Sequence, residues 1–119
     1  MELLTSEQKE KMLENGRRRA EADEKDEIFD PQPVVKLFTP SYPSTWLLTD
    51  LDPDDEDIAF GLCDLGMGYP ELGPVSLSEL QAFKGVFGLV VVERDIHFKP
   101  RGTLQWYTDI ATREQQIVA

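Results

Sequence analysis

Two groups of residues have types and spacings that suit chemistry. The first is the stretch "DLDPDDEDIAFG" from position 50, where Asp50, Asp52, Asp54, Asp55, Glu56 and Asp57 put six carboxylates in eight residues. Each such neighbour costs about 1 kcal/mol or less at a screened surface, so the crowding is tolerable but adds no folding stability. On an extended strand Asp50 and Asp52 point the same way about 7 Å apart, close to the ~7 Å phosphate spacing along one DNA strand. Held out to solvent, that spacing suits a nucleic-acid mimic docking on a basic protein site. The plainer reading is a solvated turn that keeps two strand ends soluble.

Calcium is a competitor for the same run, because Asp50, Asp52 and Asp54 occupy the first, third and fifth positions of an EF-hand-like loop. The loop's sixth position needs Gly and holds Asp55, and its twelfth needs a bidentate Glu and holds Gly61. No dedicated calcium site is expected, and no cofactor.

The second group is "VERDIHF". Strand alternation places Glu93, Asp95 and His97 on one face and Val92, Arg94, Ile96 and Phe98 on the other. Two carboxylates and the chain's one imidazole, with Asp64 as a further ligand, could hold a transition metal or run acid–base chemistry. The plainer reading is a polar sheet face with His97 hydrogen-bonded locally. Arg94, on the apolar face, is expected to pair with a carboxylate such as Asp64 or to snorkel to the edge. Cys63, the only cysteine, lies inside the apolar run "AFGLCDLG" and reads as a buried inert thiol. Trp46 and Trp106 read as core anchors, although exposure of either beside the acidic turn would point to an interface.

The chain that must position these residues has 119 residues, enough for one ordinary domain. Its 40% hydrophobic and 29% charged content argues against wholesale disorder, and its net charge of −11 is the outlier. So acidic a surface repels nucleic acid backbones and anionic membranes and favours basic partners. A single cysteine allows neither an internal disulfide nor a thiolate zinc cluster, which fits a reducing cytoplasm. No window approaches the ~20 apolar residues of a membrane span, and the N-terminus has no signal-peptide pattern.

Along the chain, Thr5 and Gln8 form a capping box ahead of "SEQKEKMLEN", a short helix expected to stop at Asn15-Gly16 and to lie at the domain's edge. "RRRAEADEKDEIFDPQP" reads as a solvated, mobile acidic extension, so residues 1–32 form a helix plus linker and 33–119 a single domain. "VVKLFTP", "TWLLTDL" and "IAFGLCDLG" read as strands of a meander. "MGYPELGP" reads as a loop, and "VSLSELQAFKG" as a short helix capped by Ser76 with Glu79. "FGLVVVERDIHF" reads as the strongest, central strand, and the tail as a helix with Leu104, Tyr107, Ile110 and Ala111 on one face. The fold class is α+β: an antiparallel sheet of about four to five strands, an N-terminal helix, a short helix after the third strand and a C-terminal helix.

The phrases "LLTSEQ", "NGRR", "VVKLFTP", "TWLLTDLDP", "AFGLCDLGMG", "PELGPVSLSEL" and "VERDIHF", in that order, resemble the bacterial family known as domain of unknown function 2958. The resemblance implies a small cytosolic protein of a kind often carried on plasmids and other mobile elements, and it brings no catalytic residues. The leading expectation is a non-enzymatic interaction protein. It would use Asp50, Asp52, Asp54, Asp55, Glu56 and Asp57 to occupy a nucleic-acid-binding surface on a host defence or DNA-handling protein, without touching nucleic acid or membrane itself. The alternative is a small metal-dependent hydrolase or nuclease built on Glu93, Asp95 and His97 with Asp64.

Overall fold

The structure, a computed structural model, describes residues 2–83 and 91–119. Helix α1 spans Ser6–Glu24, and the reciprocal Thr5–Gln8 capping box opens it. Strands β1 (Val35–Phe38), β2 (Thr45–Asp52), β3 (Asp55–Asp64) and β4 (Glu71–Ser76) follow as an antiparallel meander. Next come the six-residue helix α2 (Leu77–Ala82), the two-residue strand β5 (Glu93–Arg94) and helix α3 (Leu104–Glu114). Among the described residues the sheet has the order β4-β3-β2-β1-β5. The expected α+β class, with its N-terminal, short and C-terminal helices, is what forms.

Three local expectations change. The first helix does not stop at Asn15-Gly16 but runs on for two more turns, through residues expected to form an extension. Its end is a Schellman motif: Asp26 takes the left-handed conformation (φ 54°), Glu27 N–H donates to the Ala22 carbonyl and Asp26 N–H to that of Asp23. Nor does it lie at an edge, since its Met12, with Leu3 just ahead of the helix, shares a core with the sheet residues Val35, Leu37, Trp46 and Leu48. The boundary expected at residue 32 therefore cuts through one core. Residues beyond the helix are tied down too, with Leu104 N–H donating to the Pro31 carbonyl and Gln105 N–H to Asp30.

Second, "ELGP" is part of strand β4 and not loop, and the short helix consequently follows the fourth strand. Gly73 and Pro74 look like turn punctuation, but β4 is an edge strand, where proline is tolerated. Third, the valine-rich strand is not central. Its start, through Val90, lies outside the described residues; Val91 and Val92 precede the ladder, and among the described residues only Glu93 and Arg94 pair, with Phe38 and Leu37 of β1. The central strand is β2, buried on both faces from Trp46 to Asp50 and on to Leu51. β-Propensity reflects packing context, and here the context belongs to "WLLTDL".

Helices cover both sheet faces, which explains the burial of β2. Trp46, Leu48 and Leu51 pack toward α1, whereas Leu47 packs with Leu62 against Leu104, Tyr107 and Ala111 of α3. Strict alternation would send Leu51 to the face of Leu47. The register slips between Leu48↔Gly61 and Asp50↔Phe60, a bulge at Thr49 that returns Leu51 to the α1 side and re-aims Asp50.

Candidate functional site

The acidic run is the tip of the β2–β3 hairpin, with Asp52 directly opposite Asp55 and Pro53-Asp54 making the turn. Its six carboxylates divide into two sets by what they touch. Asp50 and Asp57 are built into the fold; Asp52, Asp54, Asp55 and Glu56 are exposed.

Asp50 is not presented, contrary to expectation. It is 4% exposed, and the Arg19 guanidinium of α1 grips it in a fork, Nε to Oδ2 at 2.8 Å and Nη2 to Oδ1 at 3.0 Å. The Thr49 hydroxyl donates to the same carboxylate. Arg19 reaches it because β1 pairs with β2 only as far as Leu48, which leaves the edge of β2 beyond that point open to the helix. There Asn15 Nδ2 donates to the free Thr49 carbonyl at 2.9 Å, and Gly16 lies so close that an added Cβ would sit 1.8 Å from the Leu51 oxygen. Phe60 at 4.6 Å and Phe29 at 5.3 Å place aromatic rings against the Arg19 guanidinium. Residues 15–19, the "NGRR" phrase and the arginine that follows it, thus form a clasp on the hairpin.

Asp57 holds α2. Its carboxylate accepts from the Ser76 hydroxyl at 2.6 Å, the Ser78 hydroxyl at 2.8 Å and the Ser78 N–H at 2.8 Å. The Ser76 hydroxyl first, and then Ser78, hold its pKa below the ordinary carboxylate value. Ser76 in turn caps the helix by accepting from Glu79 N–H.

The four remaining carboxylates have no cation partner among the described residues. One oxygen of Asp52 accepts from Asp54 N–H and one of Asp55 from Asp57 N–H, turns that stiffen the tip. Asp52 and Asp55 are like charges directly opposed on neighbouring strands, an arrangement that opposes folding.

The second predicted group is not gathered. The strand ends at Arg94, so alternation no longer governs Asp95 and His97, and the latter lies in an exposed turn. Asp95 accepts from His97 N–H at 2.8 Å and faces Lys36 Nζ at 3.5 Å. Asp64 shares a cross-strand row with Thr45, Phe38 and Glu93, three strand spacings or about 14 Å from Glu93. Asp64 is already engaged, accepting from Gly66 N–H at 2.8 Å and Ile117 N–H at 2.9 Å. Among the described residues no three His, Cys, Asp or Glu side chains converge as a metal site would require. Among the described residues Arg94 pairs with neither Asp64 nor another carboxylate but donates to the Glu2 carbonyl at 2.8 Å.

Cys63 lies in the row Cys63–Trp46–Leu37–Arg94, again about 14 Å from β5, and burial pushes its thiol up to about 11. Trp46 is a core anchor, whereas Trp106 is 43% exposed and rests on Gly102.

No described helix is long and apolar enough to cross a membrane. No curated protein and no solved structure is similar to the chain at a significant level. The sequence profile of one family, described as a protein of unknown function, matches residues 3–118, and the chain belongs to that family, DUF2958.

Proposed function

We propose that the protein is a small, non-enzymatic interaction protein that docks the tip of its β2–β3 hairpin on a basic surface of a nucleic-acid-handling protein. One observation carries this reading: Asp52, Asp54, Asp55 and Glu56 are exposed on a stiff hairpin, with no cation partner among the described residues. Charge gathered at the expense of stability is of use when a partner's cations complete it. The clasp of Arg19 on Asp50 supports the reading, because a positioned tip meets its partner with less ordering cost than a loose loop. The mobile-element setting implied by the resemblance makes a host defence or DNA-handling protein the target class, inhibited where it would otherwise hold phosphates.

The test is affinity capture from host lysate at low and moderate salt, comparing the wild type with Asp52→Asn, Asp54→Asn, Asp55→Asn and Glu56→Gln combined. The captured protein is then assayed for DNA binding with and without the wild type. The expected result is a DNA-binding protein retained by the wild type alone, released by salt and displaced from DNA. Equal capture by the neutralised variant, or a captured protein whose DNA binding is untouched, overturns the proposal.

A further inference from the structure

At the opposite end of the charge balance is a cleft of about 380 Å³ bounded by residues 95–101, by α3 from Trp106 to Ile110, and by Val118 and Ala119. That volume lies within the ~300–1,000 Å³ of small-molecule sites. His97, Lys99, Arg101 and Trp106 line it, with Tyr107 and Ile110 toward its floor. The side chains of His97, Lys99 and Arg101 have no partner among the described residues. Asp95, the carboxylate side chain lining the cleft, faces Lys36 Nζ, which also donates to the Ala119 oxygen.

The segment carrying these cations is braced. Arg101 N–H donates to the Tyr107 hydroxyl at 2.9 Å, and Phe98 N–H to the Asp95 carbonyl. The Trp106 ring is held as well, against Tyr107 at 4.9 Å in a T-shaped contact and against Gly102, where an added Cβ would sit 2.6 Å from indole carbons. A fixed, half-exposed indole beside two unpaired cations suits a ligand with one flat apolar face and one anionic group. The first N–H groups of α3 are already taken by Pro31, Asp30 and Thr103, so side chains must hold the anion.

We propose that this cleft binds a free mononucleotide, with its base stacked on Trp106 and its phosphate held by Lys99 and Arg101. The overall negative charge opposes a long polyanion more than a single phosphate, which favours the free nucleotide over a strand. This inference is independent of the hairpin reading.

The test is titration of the full chain with AMP, followed by tryptophan fluorescence and calorimetry, with adenosine, inorganic phosphate and a short 5′-phosphorylated single strand as separate arms. Saturable one-to-one AMP binding is expected, with a fluorescence change that disappears in Trp106→Phe while Trp46 still reports the fold. Affinity should fall about tenfold or more in Trp106→Ala and in Lys99→Gln with Arg101→Gln, both checked for unchanged circular dichroism. Should Trp106→Ala fail to fold, the Lys99/Arg101 pair, exposed at the surface, decides alone. Adenosine and phosphate should each bind far more weakly than AMP. No saturable AMP binding, AMP affinity unchanged in the Lys99/Arg101 variant, or phosphate binding as well as AMP overturns the proposal. A strand binding about tenfold tighter than AMP overturns the assignment to a free nucleotide.

Discussion

Arg19 and Asp50, thirty-one positions apart in sequence, meet in a two-point fork that locks the acidic hairpin to the first helix. Removing Arg19 leaves a nearly buried carboxylate with the Thr49 hydroxyl as its remaining side-chain donor. Such a loss costs roughly 3 kcal/mol, the low end for breaking a buried pair, because Arg19 is itself a quarter exposed. Arg19→Ala should therefore lower the urea midpoint strongly, and Arg19→Met combined with Asp50→Leu should lose less than the sum of the two single changes. Strict additivity in that cycle would mean that the fork carries no coupling.

The exposed tip should behave in the opposite sense. Asp52→Asn or Asp55→Asn keeps the oxygen that accepts the turn N–H and removes one of two facing charges. Each should leave stability within about 0.5 kcal/mol of the wild type or raise it, with the gain shrinking as salt is added. Chemical unfolding at low and high ionic strength reads this directly. A clear loss of stability at low salt would mean that the tip charges are structural.

Gly16 gives the sharpest steric prediction. An Ala there would drive its Cβ to 1.8 Å from the backbone oxygen of Leu51, and neither a helix backbone nor a central strand yields easily. Gly16→Ala, which improves helix propensity at an exposed site, should here cost about 3 kcal/mol. Thermal unfolding settles the sign, and a stabilised variant would show that α1 does not press on β2 this closely.

Those residues also mark how far sequence reasoning reaches. The strands β1, β2 and β3 are legible because apolar runs of strand length are bounded by Pro, Ser and Asp, and Thr5 and Ser76 announce their helices through local side-chain geometry. Asn15-Gly16 reads locally as a stop, and its true role needs a strand more than thirty residues away. A signal was present nonetheless: Met12, Gly16 and Arg19 share one face at helical spacing, and no proline interrupts the helix formers that follow. The acidic hairpin was visible as a charge run, but its division was not. Asp50 and Asp57 differ from Asp52 and Asp55 only through partners on α1 and at the junction of β4 with α2, which no local pattern encodes. Likewise "VERDIHF" loses its common face because the ladder stops after two residues.

Asp57 supplies a prediction in pH. Hydrogen bonds from Ser76 and Ser78 hold its folded pKa below the ordinary 3.8, so the ionised carboxylate is favoured in the folded state. Its contribution to stability is therefore fully present above that ordinary value and is lost as pH falls through the lower, folded value. Asp57→Asn removes the charge at every pH. The stability gap between wild type and Asp57→Asn should thus be constant at neutral pH and begin to narrow only as acid passes below the ordinary aspartate range. Carboxyl carbon NMR of Asp57 should show a midpoint below 3.8, and Ser78→Ala should move it upward. A midpoint at or above the ordinary value would mean that the serines do not hold this carboxylate, and α2 would then need another anchor to β3.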